Sequence, residues 1–92
     1  KKSIIEIRAA EGGAESKLLV KDQFAIYAKA ARWSVFDITI LEERDGFISF
    51  LIEGKNTSIF NRESGSHVWQ RISPTEKRGR THTSLITVAV LP

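Results

Sequence analysis

Between Ser3 and Ala9 apolar and polar residues alternate, with Ile5, Ile7 and Ala9 on one side and Glu6 and Arg8 on the other. That two-residue period predicts a strand with one face in a core. Glu11-Gly12-Gly13 interrupts it. From Ala14 to about Arg32 the spacing becomes helical, and Val20, Phe24, Tyr27 or Ala28, and Ala31 form one stripe. Lys17, Lys21, Lys29 and Arg32 take much of the remaining surface. Alternation returns over Ser34 to Glu43, grouping Phe36, Ile38 and Ile40, and again over Phe47 to Glu53, grouping Ile48, Phe50 and Ile52. Asp45-Gly46 between these runs is a hairpin signal, because both residues accept positive φ.

Gly54-Lys55-Asn56 ends the third strand, and Asn56 or Thr57 can cap a short helix reaching Asn61 or Glu63. Ser64-Gly65-Ser66 reads as a turn, Val68 to Ile72 as a strand, and Leu85 to Leu91 as a last strand with Ile86, Val88 and Val90 together. The order β-α-β-β-α-β-β predicts an α+β single domain over residues 1–92, with a mixed or antiparallel sheet backed by one long and one short helix. Ser73 to Ser84 is left as a projecting tip loop, longer than a tight hairpin requires. No internal repeat or linker interrupts the pattern.

Length and composition narrow the class. Ninety-two residues suffice for one core, and the apolar share of 41% and charged share of 27% are ordinary for a globular protein. No cysteine is present, which removes disulfides and thiolate metal sites and fits a cytoplasmic or organellar-matrix setting. No apolar run approaches the roughly 20 residues that span a bilayer, so no membrane partner is expected. The net charge of +3 says little, but its distribution says more. Arg71, Lys77, Arg78 and Arg80 fall within ten residues that hold one acid, Glu76. Such a cluster suits a polyanion. A solvated loop kept soluble by its charge explains the same excess.

Catalytic constellations are missing. His67 and His82 are fifteen residues apart, no HExxH spacing exists, and no GxSxG surrounds a serine. Gly12-Gly13 ahead of a helix can offer backbone N–H groups to an anion, although a sharp strand-to-helix turn needs the same glycines. No catalytic residue, metal or cofactor is therefore expected. The tip differs. Ser73, Thr75, Thr81, Thr83 and Ser84 supply hydroxyls, His82 an imidazole and Gln70 an amide, while Pro74 stiffens the backbone and Gly79 permits a turn. Such groups read unstacked single-stranded RNA: amides and hydroxyls bond base edges, an imidazole stacks, and cations hold phosphates.

Gln70-Arg71-Ile72-Ser73-Pro74-Thr75-Glu76-Lys77-Arg78-Gly79-Arg80-Thr81-His82-Thr83-Ser84 closely resembles the codon-recognition loop of bacterial and organellar class-I peptide chain release factors. Ile5-Glu6-Ile7-Arg8-Ala9-Ala10-Glu11-Gly12-Gly13-Ala14-Glu15 is similar to that family's Ile-Arg-Ala-Gly-x-Gly-Gly-x-Glu-Ala segment. Glu63-Ser64-Gly65-Ser66-His67 resembles its Glu-Ser-Gly-Gly-His, and Thr87-Val88-Ala89-Val90 its closing strand. The likeness runs in order along essentially the whole chain.

The resemblance implies a codon-reading module that acts on the ribosome and does no chemistry itself. Its implied partners are the small-subunit RNA of the decoding centre and the stop codon of messenger RNA, with the factor a monomer. It places Gly12, Gly13 and Glu15 at the uridine, and Thr75 at the first two bases. His82 would stack beneath the second base, and Gln70 and Thr83 would bond the third. Arg71, Lys77, Arg78 and Arg80 would hold RNA backbone. In that family the loop tripeptide discriminates the second base: Pro-x-Thr accompanies UAA and UAG, Ser-Pro-Phe accompanies UAA and UGA. Ser73-Pro74-Thr75 mixes the two, so UAA, read by both types, is the expected codon.

Departures from the pattern matter. Val68 stands where an arginine commonly follows the histidine, Thr81 matches neither type, and the stretch before Glu63 is about one residue short of the family's. The chain has no Gly-Gly-Gln, the family's trigger of peptidyl-tRNA hydrolysis, and nothing matching its N-terminal helical domain. An excised piece and a truncated relative both account for this; Lys1-Lys2 near a native start would suit the second. A release-factor-like protein turned to ribosome rescue or RNA binding, with codon reading lost, stands as the alternative, and an inert interaction domain as a third reading.

Overall fold

The computed structural model describes residues 1–92. The chain runs β1 (Lys2–Glu11), α1 (Gly13–Ser34), β2 (Asp37–Arg44), β3 (Phe47–Glu53), a 3₁₀ helix (Thr57–Glu63), β4 (Gly65–Ile72) and β5 (Thr81–Leu91). The strands form one sheet in the order β2-β3-β1-β5-β4, and every pairing is antiparallel. This is the expected α+β domain, with the short helix drawn as 3₁₀ turns. No helix is long and apolar enough to cross a membrane.

One face of the sheet meets α1. Ile5 and Ile7 of β1, Ile48, Phe50 and Ile52 of β3, and Ile86 and Val88 of β5 join Leu19, Val20, Tyr27 and Ala31 in a single core, with Phe60 closing one end. Phe50 packs edge-on against Phe24 with ring centres 5.0 Å apart. Of the two stripe candidates on α1, Tyr27 is the buried one, and Ala28 sits at the margin.

β2 departs from its expectation. It begins at Asp37, so Phe36 lies before it, and Ile40 is 48% exposed. β2 is an edge strand, and a bulge between Ile40 and Glu42 shifts its register. Phe36 instead packs on Phe60 and fills the space above Gly54, where a β carbon would come within 2.2 Å of its ring.

β4 and β5 are longer than the apolar pattern indicated. β4 starts at Gly65 and β5 at Thr81, so the irregular tip shrinks from Ser73–Ser84 to residues 73–80. Thr81, His82, Thr83 and Ser84 pair with Ile72, Arg71, Gln70 and Trp69. β1 reaches only as far as Leu85, through Glu11. Beyond that point the ends of β4 and β5 pair only with each other, as a two-stranded ribbon projecting past the sheet.

Candidate nucleic-acid interface

Alternation along the ribbon divides its side chains between two faces. Trp69, Arg71, His82 and Ser84 point toward α1 and are wholly or partly covered, whereas Gln70, Ile72, Thr81 and Thr83 are exposed on the far side. Gln70 and Thr83 are direct cross-strand partners, and the amide Nε2 donates to the hydroxyl at 3.3 Å. His82 stands opposite Arg71 on the other face. The structure therefore brings Gln70 and Thr83 together, and sets the imidazole on the reverse of the same ribbon.

The start of α1 fixes the ribbon. Arg71 donates to Glu15 from Nε at 2.7 Å and reaches Asp22 with Nη1 at 2.8 Å. The Arg71 guanidinium holds the buried Glu15 carboxyl below the usual carboxylate range, outweighing the opposing effect of burial. Reciprocally, the Glu15 bond raises the pKa of Arg71. Ser16 Oγ accepts from the Ala10 N–H at 3.1 Å and donates to the Leu85 carbonyl at 2.8 Å, tying α1 to β1 and β5. Gly12, at φ 119°, lies so close to β5 that a β carbon would fall 2.4 Å from Ser84 Oγ. That hydroxyl is buried without a hydrogen-bond partner.

Further back, Trp69 Nε1 donates to Gln23 Oε1 at 3.2 Å, Gln23 Nε2 to the Tyr27 hydroxyl at 2.9 Å, and that hydroxyl to Glu63 Oε1 at 2.9 Å. Burial, chiefly, raises the pKa of Tyr27. This relay gives Gln23 and the Tyr27 hydroxyl of α1 their partners.

At the tip, the Ser73 carbonyl accepts the Glu76 N–H at 2.9 Å, closing a four-residue turn with Pro74 at its second position. Ser73 is 3% exposed, and its Oγ lies 3.1 Å from Thr75 Oγ1 and 3.3 Å from the Thr75 N–H that it accepts. Thr75 and Pro74 are exposed. Glu76 is the hub of the loop. Its carboxylate accepts the Arg78 N–H at 2.6 Å, Arg80 Nε and Nη2 at 3.3 and 3.1 Å, and lies 3.0 Å from His82 Nε2. Arg80 first, then His82, pull its pKa down to about 2.

The geometry revises part of the expected residue set. Ser73 shapes the turn and presents no free hydroxyl, Glu15 anchors the ribbon, and Arg71 is committed to two carboxylates on α1. Arg80 is paired with Glu76, which leaves Lys77 and Arg78 with side chains outside any ion pair. Thr81, like Thr83, is exposed on the outer face. Sequence reasoning missed Glu76, Ser16 and the Trp69–Gln23–Tyr27–Glu63 relay. The one visible signal was that Glu76 is the single acid in a basic run.

Comparison with known proteins decides the family: the PCRF domain family matches residues 1–88. The chain belongs to the PCRF domain family. Peptide chain release factor 1 of Malacoplasma penetrans is 46% identical to this PCRF domain over 98 aligned positions, covering 100% of the chain and 27% of that protein. Its counterpart in Geobacter sulfurreducens is 48% identical over 96 positions, covering 97% of the chain and 27% of the relative. The solved structure of RF2 of Thermus thermophilus superposes with a TM-score of 0.93 at 26% identity, covering 100% of this chain and 28% of that one. The PCRF domain thus spans just over a quarter of the length of these relatives.

Proposed function

We propose that this PCRF domain reads stop codons on the ribosome during translation termination, and that UAA is its principal codon. The observation that carries the reading is the ribbon with its two dissimilar faces: Gln70 and Thr83 bonded on one side, His82 on the other, and Thr75 exposed at the end. A base stacked on the imidazole and a base bonded by the amide and hydroxyl would be parted by the ribbon itself. Residues 73–76 offer Thr75 from a closed turn, so little order has to be gained on binding. The partners are messenger RNA and small-subunit ribosomal RNA. The domain is a recognition module and not an enzyme; peptidyl-tRNA hydrolysis would fall to a Gly-Gly-Gln domain. Its relatives are release factors, which supports the same reading.

The test is binding of the gene product carrying this domain to ribosomes programmed with each stop codon and with sense codons. Thr75→Ala and His82→Ala should each weaken stop-codon-dependent binding about tenfold, the loss of one or two well-placed contacts. Thermal unfolding should be nearly unchanged. Unaltered codon selectivity in both variants would reject the reading. Equal binding at all codons by the wild type would favour the alternative, a rescue or RNA-binding role without codon reading, for which the mixed Ser73-Pro74-Thr75 tripeptide leaves room.

A further inference from the structure

Phe47 points away from α1. It faces Arg8 on β1 and Arg44 on β2 as direct cross-strand partners, while its neighbour Ile48 points into the core opposite Ile7. Yet Phe47 is only 5% exposed, and it is not a member of the core cluster. What covers it includes two guanidinium groups, with Arg8 Cζ 4.4 Å and Arg44 Cζ 4.2 Å from the ring centre. Two cations are thereby drawn to one ring on the open face of the sheet. Arg8 belongs to the Ile-Arg-Ala segment of the sequence, and the tip leaves it without a role.

Each arginine has one carboxylate neighbour on its own strand. Arg8 Nη2 lies 3.8 Å from Glu6, and Arg44 pairs with Glu42. A guanidinium carries five N–H donors, and one carboxylate engages two at most. Arg8 and Arg44 remain 53% and 55% exposed, so donors are left facing solvent. Stacking on a ring fixes the guanidinium plane and lowers the entropy lost when the remaining donors close on an anion.

We infer that Arg8 and Arg44, stacked on Phe47, form a second RNA contact that grips the phosphodiester backbone of ribosomal RNA beside the decoding tip. The inference rests on the proposed codon reading and deepens it by naming a further partner surface. Placement on the fold supports it. Arg8 and Phe47 lie in register with Thr87, four residues along β5 from Thr83 and on the same outer face. With strands about 4.8 Å apart and residues about 3.4 Å apart, the ring is roughly 17 Å from the Gln70–Thr83 pair. At that distance the arginines serve RNA beyond the nucleotide held by the Gln70–Thr83 pair, and a backbone contact of this kind sets position while base contacts set identity.

The experiment measures ribosome affinity of the gene product carrying this domain, across a salt series, for Arg8→Ala, Arg44→Ala and the double variant, with His82→Ala alongside. Each single substitution should weaken binding about three- to tenfold at stop and sense codons alike. The slope of log affinity against log salt should fall by about 0.7–0.9 per arginine. Lysine at either position should restore the slope but only part of the affinity, because it keeps the charge and loses the planar stack. Phe47→Leu, which keeps an apolar residue in place, should show a partial loss at an unchanged slope. Thermal unfolding followed in parallel separates these effects from misfolding. Unchanged affinity and slope in the double variant would overturn the inference. So would a loss confined to stop codons, a loss that vanishes when messenger RNA ends at the codon, or a loss seen equally on removing a ribosomal protein with the RNA intact. If the wild type shows no codon preference and His82→Ala no effect, it is the codon reading that fails instead.

Discussion

Gly12 shows how one position can couple the helix start to the ribbon. Its φ of 119° is reached readily only without a side chain, and Ser84 occupies the space a methyl group would need. Gly12→Ala should therefore cost about 2 kcal/mol, seen as a lower urea midpoint at an unchanged slope. Glu76 makes a different prediction, about acid. Its pKa is depressed in the folded loop, to about 2 against an ordinary 4.5. A depressed carboxylate contributes fully above its unfolded value and loses that contribution as pH falls through its folded one. Loop order should hold above about pH 4.5 and fade toward pH 2, with faster exchange of the Arg78 amide as the readout. Glu76→Gln should remove that dependence. Residue types at the tip were legible in the sequence, since Thr75, His82, Gln70 and Thr83 announce hydrogen bonding and stacking by their chemistry. Glu76 was not, because its partners are set by how residues 76–82 curl and no local pattern encodes that.

Among the elements, β1, β3 and the second half of β5 were legible because one face of each enters the core, so apolar residues mark every second position. The first residues of β4, Gly65 to His67, and of β5, Thr81 to Ser84, carry no apolar side chain, and hydropathy alternation falls silent there; pairing alone reveals them as strand. The helix stripe was legible, but its polar members Glu15, Ser16 and Gln23 were not, since burial of such residues depends on partners from distant segments. The Glu15–Arg71–Asp22 group joins α1 to β4 across fifty-six positions of sequence. Arg71→Ala should cost about 2–3 kcal/mol, because it strands a buried carboxylate. Glu15→Gln should cost less, since a neutral amide oxygen still accepts from the guanidinium. Thermal unfolding of the two variants checks the order.

At the scale of the molecule, the body measures 45 × 22 × 21 Å. Strand order was not legible, because placing β1 between β3 and β5 depends on contacts that no short stretch of sequence contains. What the order does is leave β4 and the tip of β5 without a third strand beside them, braced at the tip by α1 through Arg71. Side chains on a strand answer to odd and even counting, so inserting one residue between Ser84 and Leu85 would carry His82 round to the solvent side and send Thr83 underneath. Inserting two would restore the sides and lengthen the reach by about 7 Å. Codon discrimination should collapse with the first insertion and partly return with the second, whereas changes within residues 76–80 escape that arithmetic. Evolution can vary the bend freely, but it can alter the arms only in pairs.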